Sequence, residues 1–342
     1  MKQILFIIDP FHDINPEKDT TILFMRECYD RGHKIYFCEI NNMSFGSTLK
    51  ARCIELREKY LNIERHSVRN TTISRDYPLV LPNPEEISLE EMDIIFMRKD
   101  PPVDLGYIHS TYMLDTIKDK VLIVNNPTSL RSFNEKLVTL NFQDIIPSTI
   151  VSSSLTEIED FAKKYEHGVV IKPTTLCGGE GVVRYEPINN KDLHAHSGGQ
   201  PSALQVLLGA DIPIQEDLIE EPKIVQEFLP NVLKGDKRII LLDGEPIGAI
   251  NRVAQDGSFI CNFHAGGRPE KTEITKSDKK ICNKIKPFLV KNGIYFAGID
   301  VIDNMLTEIN ITSPTGLQEI NRANNTKLES IVLDSILDKL NR

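Results

Sequence analysis

Asp300, Glu308 and Asn310 stand in GIDVIDNMLTEINITSP, Gly298 to Pro314, a stretch whose other members are mostly Ile, Val and Leu. Carboxylates and carboxamides cost free energy to bury unless they are paired or bound to a cation. Side chains alternate along a strand, so Glu308 and Asn310 share one face while Thr307, Ile309 and Ile311 take the other; Ile299 and Val301 likewise oppose Asp300. A hairpin closed by a three-residue loop, Asp303-Asn304-Met305, sets Asp300 directly opposite Glu308, whereas a two-residue turn sends the two to opposite faces. The first register makes one face apolar core and the other an oxygen-rich site. Two carboxylates held that close repel each other unless one is protonated or a cation lies between them. Hard oxygen ligands of this type suit Mg²⁺, which keeps waters and is usually completed by substrate phosphates. A hairpin with a solvated polar face is the plain alternative.

Such a site calls for phosphate-binding cations nearby. Lys172 ends the run GVVIKP and precedes TTLCGGEGV, where Gly178, Gly179 and Gly181 let backbone N–H groups approach an anion closely. The spacing is not that of a Walker A loop. LRSFNEKLVT supplies Lys136 within a helix read over Ser129–Leu140, and LKGDKRIILLDGEP adds Asp236 and Arg238 at the head of a strand. Singly, a glycine turn, a surface lysine and a salt bridge explain these residues as well as phosphate binding does.

The elements that must position them follow a regular order. Strands are expected at Ile4–Ile8, Lys34–Ile40, Asp93–Met97 and Val121–Asn125, with helices at Thr20–Arg31, capped by Gly32, and Tyr107–Lys118. Strand and helix in alternation imply a largely parallel sheet whose functional loops lie at strand carboxyl ends. Asp9-Pro10 and Arg98-Lys99-Asp100-Pro101-Pro102 occupy such ends. After Asn125-Asn126-Pro127 come a strand from Thr149, a helix over Leu155–Tyr165 and strands Gly168–Lys172 and Gly181–Tyr185. The polar segment after Asn189 reads as a loop or insertion, with His194 and His196 solvated. Strands Lys223–Phe228, Lys237–Leu242 and Pro246–Arg252 follow, the last two joined at the hairpin signal Asp243-Gly244, and Lys327–Leu340 closes the chain as a helix with an apolar stripe.

A chain of 342 residues exceeds the usual single core, so two or three lobes are expected. The net charge of -9 argues against non-specific nucleic-acid or anionic-membrane binding. No segment approaches the roughly 20 apolar residues of a membrane-spanning helix, and the apolar run at Ile4–Ile8 is too short for a signal peptide. Six scattered cysteines without metal-ligand spacing read as free thiols of a cytoplasmic protein.

The order of these features, with VQEFLP, GDKR and a D-x7-E-x-N pattern, resembles the ATP-grasp fold and, more closely, the prokaryotic glutathione synthetase family. The motifs run from FIIDP through IIFMRKDPPVD, NNPTSLRSFNEKL, VVIKP, KGDKRIILLDGEP and NFHAGGR to GIDVIDNMLTEINITSPTGLQEI. The resemblance implies an α/β (α+β) architecture: an N-terminal parallel-sheet pre-ATP-grasp domain over 1–125, a small lid lobe over 126–222 with the glycine-rich loop, and a C-terminal lobe over 223–342 with the metal site. It implies ligation of γ-glutamylcysteine to glycine through an acylphosphate, with ATP and Mg²⁺, Mn²⁺ being the alternative metal. Lys136, Lys172 and the Gly178, Gly179 and Gly181 loop would hold the phosphates; Gln226, Glu227, Phe228 and Leu229 would hold adenine, and Asp236 ribose. Arg238 and Lys172 would be catalytic, Asp300, Glu308 and Asn310 metal ligands, and Arg98, Asn262, Gly266, Gly267 and Arg268 substrate contacts. A homo-oligomer, tetramer or dimer, is implied as well. The chain departs from the family pattern where Thr175 and Leu176 replace an Asp-Gly pair and where Ile260 stands for a basic residue. A related ligase for another carboxylate and amine, and a non-catalytic nucleotide binder, are the rival readings.

Overall fold

Strand β1, Gln3–Ile7, is apolar on both faces, the pattern of a strand covered on both sides. It lies in the middle of the first sheet of the computed structural model, which describes residues 1–61, 81–187 and 218–341. The segment with His194 and His196 falls outside the described residues. Strands β2 (Lys34–Cys38), β6 (Ile94–Met97) and β7 (Leu122–Val124) run parallel with β1 in the order β2-β1-β6-β7. The edge beyond β2 is antiparallel: β4 (Leu49–Glu55) pairs with β2, β3 (Met43–Phe45) and β5 (Glu85–Ser88).

Two antiparallel sheets follow. The second orders β10 (Val183–Tyr185), β9 (Val169–Pro173), β11 (Leu218–Glu227) and β8 (Thr149–Ser154). Its strand β11 crosses residue 222, where the sequence divided the two later lobes, and pairs along both β8 and β9 up to Gln226. The third orders β14 (Arg268–Lys271), β13 (Glu245–Val253), β12 (Asp236–Leu242), β15 (Phe296–Ile302) and β16 (Met305–Asn310). Hydrophobic packing explains how the sheets associate. Two core clusters run from the first sheet into the third, for example from Leu5 to Ile309 and from Phe6 to Phe296. The second sheet packs its own small core of Leu155, Ile158, Val169 and Val225. It therefore shares little burial with the rest.

Asn125, at the end of β7, joins the first and third sheets. Its carboxamide nitrogen donates to the carbonyls of Phe296 and Ile311, both at 2.7 Å, and its oxygen accepts from Tyr295 N and Phe296 N, both at 2.9 Å. Asn125→Ala leaves two buried donors and two buried acceptors without partners. Each costs about 1–3 kcal/mol to leave unmade, so a loss of at least about 3 kcal/mol is expected as a lower urea midpoint. An unchanged midpoint would show that water replaces the side chain.

The helix expected over Ser129–Leu140 is two pieces. An α-helix spans Pro127–Ser132, the chain extends at Phe133, and a 3₁₀ helix covers Leu137–Phe142. The break comes from Asn134, whose side-chain oxygen accepts from Lys136 N and Leu137 N, both at 3.0 Å, in place of the helical bonds. Lys136 thus stands at a helix start and not within a helix.

Candidate active site

The hairpin that carries Asp300 and Glu308 has the expected face by a different route. The turn is the two-residue Asp303-Asn304, both at positive φ (51° and 62°), and Ile302 pairs with Met305. A register shift then inserts Thr307 as an extra residue on β16, so Asp300 pairs with Glu308 after all. The expected three-residue loop is corrected: a tight turn plus a bulge gives the same odd register. The β12–β13 hairpin repeats the device. It turns at Asp243-Gly244, shifts register beyond Leu241–Pro246, and brings Arg252 opposite Asp236.

Arg238, Asp300 and Glu308 lie in one row across β12, β15 and β16. The Arg238 guanidinium donates from Nε to Asp300 Oδ1 at 2.6 Å and from Nη2 to Oδ2 at 3.0 Å, and its Nη1 donates to the Thr315 carbonyl at 3.1 Å. Arg252 Nη2 lies 2.9 Å from Asp300 Oδ2 and also donates to Asp236. Burial alone would raise the Asp300 carboxyl pKa; the two guanidiniums outweigh it and hold it well below the usual carboxylate range. Asp236 goes the other way: its own burial outweighs Arg252 and raises its pKa to about 6. One Asp236 oxygen, Oδ1, is buried without a partner.

The residues Asn134-Glu135-Lys136 connect this row to the glycine-rich loop. Asn134 Nδ2 donates to the Thr174 carbonyl at 2.7 Å, and Lys136 Nζ donates to the Leu176 carbonyl while lying 3.5 Å from Glu308. Glu135 Oε1 accepts from Ile311 N at 2.7 Å and from Thr312 N and Thr312 Oγ1, both at 2.9 Å, fixing the exit of β16. Lys172 Nζ donates to Gln226 Oε1 at 2.6 Å, and loss of water around the ammonium lowers its pKa. Gly179, at φ +89°, approaches the Ile260–Asn262 segment so closely that a Cβ would lie 2.5 Å from Ile260 Cγ2. The loop therefore rests against Ile260 and Asn262.

These elements enclose connected spaces. A cleft is lined by Lys136, Lys172, Gly178, Gly179, the segment Gln226–Leu229, Asp236, Asn262, Asp300 and Glu308. A second chamber shares Gly178, Gly179, Asn262 and Glu308 with it and adds Glu135, Arg238, Arg252 and Asn310. A third holds Arg98. Gly181 packs its φ +67° turn toward Pro173 and Leu176, outside these walls. Gly266, Gly267 and Arg268 line none of the three; Gly267 is needed because a Cβ there would meet the Cys261 carbonyl at 2.0 Å, and Arg268 is exposed on β14.

The donor set fits a hard divalent cation. A carboxylate offers about four lone-pair directions, and the two arginines take three of those on Asp300. Glu308 has only Lys136 as an ion partner among the described residues, and the Asn310 nitrogen lies 3.4 Å from Asp300 Oδ2, leaving its carboxamide oxygen uncommitted. Among the described residues no three His, Cys, Asp or Glu side chains form a ready metal cage. Sequence reasoning missed Arg252 and Glu135. Arg252 was hidden by the bulge on β13, since a regular hairpin from Asp243-Gly244 pairs Asp236 with Asn251. Glu135 carried no motif signal beyond its place next to Lys136.

Comparison with known proteins gives a consistent picture. Residues 1–131 match the family profile described as prokaryotic glutathione synthetase, N-terminal domain, and residues 135–325 match prokaryotic glutathione synthetase, ATP-grasp domain. The glutathione synthetase of Agrobacterium fabrum is 35% identical over 339 residues, covering 99% of this chain and 97% of the relative. That of a Nostoc species is 38% identical over 333 residues, covering 97% and 96%. A RiPP-associated ATP-grasp ligase from Chryseobacterium gregarium, solved in complex with ADP and a leader and core peptide, superposes with a TM-score of 0.60 at 15% identity over 99% and 97% of the two chains. That likeness speaks for the fold alone.

Proposed function

The chain belongs to the prokaryotic glutathione synthetase family of ATP-grasp ligases, and on that premise we propose how its residues divide the reaction. The activity is ATP-dependent ligation of γ-glutamylcysteine to glycine through an acylphosphate, giving glutathione, ADP and phosphate. ATP-grasp ligases bind ATP and a divalent metal. Here the metal would be Mg²⁺, with Glu308, Asn310 and Asp300 as the residues that would hold it. When bound it supplies positive charge between two mutually repelling anions, the attacking carboxylate and the γ-phosphate.

Adenine lies along Gln226–Leu229, where backbone groups recognise it, and the unpartnered Oδ1 of Asp236 accepts from a ribose hydroxyl. Lys136 and Lys172 hold the phosphates beneath the glycine-rich loop. A carboxylate oxygen of the cysteinyl residue attacks the γ-phosphorus, the bond to the bridging oxygen breaks, and ADP departs. Arg238 has three of its five N–H groups committed, so two remain, already oriented, for the charge on the phosphoryl group in flight. The glycine amine then attacks the acyl carbon, loses a proton and expels phosphate. The loop that packs Gly179 on Ile260 excludes water from that acylphosphate. Cys177, exposed on the loop, is not required as a nucleophile.

The three sheets mark the three lobes of the chain, the lid being the sheet β10-β9-β11-β8. We also propose a cytoplasmic homo-oligomer, dimer or tetramer; no helix among the described residues is long and apolar enough to cross a membrane. The observation that carries the assignment is the row Arg238–Asp300–Glu308, of which Asp300 and Glu308 line the cleft of Lys136 and Lys172 and Arg238 lines the adjoining chamber. ADP release with Mg²⁺-ATP and γ-glutamylcysteine, with and without glycine, tests it, with the peptide product identified by mass. Glycine-dependent ADP release and a glutathione mass are expected. Equal ADP release without glycine would point to a different amine acceptor or to a stalled acylphosphate.

A further inference from the structure

The second chamber, which holds Arg238, Glu308 and Asn310, opens on a further space, a side pocket. Pro101, Glu135 and Cys177 line both and form the opening between them. Beyond that opening the walls are largely apolar: Val103 and Ile108 at the start of the helix Leu105–Asp115, Leu130 and Phe133 at the end of the helix Pro127–Ser132, and Leu176 at the base of the glycine-rich loop. Two backbone carbonyls of that loop are tied down here, Thr174 by Asn134 and Leu176 by Lys136, so the pocket stands preformed.

The cations along this pocket are already committed. Arg131 pairs with Asp115 and lies over the Tyr112 ring, and Lys136 faces Glu308 and the Leu176 carbonyl. A charged side chain entering the pocket would therefore lose water without gaining a partner. The uncommitted polar group is at the opening. Glu135 takes its hydrogen bonds from Ile311 N, Thr312 N and Thr312 Oγ1 on Oε1, and among the described residues its Oε2 has none. Those bonds hold the backbone just after Asn310, so the free oxygen stands close to the reaction centre. An acceptor oxygen at the opening and an apolar pocket behind it describe a ligand that carries an N–H group and an apolar substituent on one carbon.

Among the reactants, the amine that attacks the acylphosphate answers that description once it bears a side chain. We propose that the side pocket receives the side chain of the amine acceptor, and that the enzyme joins γ-glutamylcysteine to alanine, 2-aminobutyrate and norvaline as well as to glycine. The inference rests on the ligase activity and widens its amine substrate to small apolar α-amino acids. Glycine leaves the pocket empty of side chain; each added methylene moves into it. The chemistry is that of the glycine reaction. The α-amine nitrogen attacks the acyl carbon, the bond from that carbon to the phosphate oxygen breaks, phosphate leaves with the electron pair, and the nitrogen gives up a proton. The products are the γ-glutamylcysteinyl amino acid, ADP and phosphate.

The test compares glycine, alanine, 2-aminobutyrate and norvaline in ADP release with saturating Mg²⁺-ATP and γ-glutamylcysteine, each peptide product being identified by mass. All four are expected to give product, with the KM falling by about fourfold for each methylene added from alanine to norvaline. Val103, 37% exposed, and Ile108 lie on the pocket wall away from the reacting groups. Val103→Trp and Ile108→Phe are expected to raise the KM for norvaline at least about tenfold, while those for glycine, ATP and γ-glutamylcysteine stay within about twofold. Product from glycine alone, or a KM that does not fall along the series, overturns the proposal and leaves the ligase activity standing. So does a raised KM for γ-glutamylcysteine in the variants with that for norvaline unchanged, which would give the pocket to the cysteinyl side chain. The series with the unmodified enzyme decides the matter even where a variant does not fold. Failure of every amine, glycine included, would instead remove the ligase reading and this one with it.

Discussion

Glu308→Gln is expected to lower turnover by at least about a hundredfold, with little change in thermal stability. The substitution keeps the size of the side chain and one of its oxygens and removes only the charge. Glu308 stands directly across from Asp300 at the bulge of β16, and its side chain is 19% exposed with Lys136 3.5 Å away. The fold therefore does not depend on the carboxylate, whereas phosphoryl transfer between two anions does if Glu308 holds the metal as proposed. Two readings should move together: ADP release at saturating substrates falls, and the Mg²⁺ concentration for half-maximal activity rises. Near-normal activity at ordinary Mg²⁺ would take Glu308 out of the metal site and leave it as the partner of Lys136.

Arg238→Ala is expected to reduce kcat by about a hundredfold or more while raising the KM for ATP far less, because in the role proposed for it its two uncommitted N–H groups stabilise charge that develops only during transfer. This variant also carries a structural cost. Asp300 is 2% exposed and loses both bonds of a bidentate pair, and breaking a buried pair from one side typically costs about 3–5 kcal/mol. Arg252 still holds Asp300 at 2.9 Å, so the loss should fall at the low end of that range. Arg238→Lys separates the two effects: it restores charge near Asp300 without the planar fork, so stability should recover more than kcat. A rise confined to the KM for ATP, with kcat intact, would make Arg238 a binding residue only.

Much of the site is legible in the amino-acid sequence because its parts are local. Lys172 ends a strand and is followed by glycines; Asp236 and Arg238 start a strand; Asp300, Glu308 and Asn310 interrupt an apolar alternation. Each is a statement about a few neighbouring residues, and alternation along a strand carries it. Where sequence and fold differ, the cause is an irregularity that alternation does not register. The Asp303-Asn304 turn is shorter than expected, and the extra residue Thr307 restores the face. The bulge that moves Arg252 opposite Asp236 conceals a second guanidinium at the site. Asn134 breaks a helix whose apolar spacing looks continuous, because its side chain competes for the backbone N–H groups of Lys136 and Leu137.

The sequence by itself determined the alternation of strands and helices in the first third, the hairpins of the last, and the types of group available: two lysines, a glycine-rich loop and an oxygen-bearing strand face. Those follow from periodicity, turn chemistry and burial cost, which act over a few residues. Only the tertiary structure decided which groups neutralise one another. Arg238 and Arg252 converge on Asp300 from separate strands, and Glu135 fixes the exit of a strand more than 170 positions away. Charge balance in a buried site is a sum over residues distant in the chain, so no local pattern can reveal it.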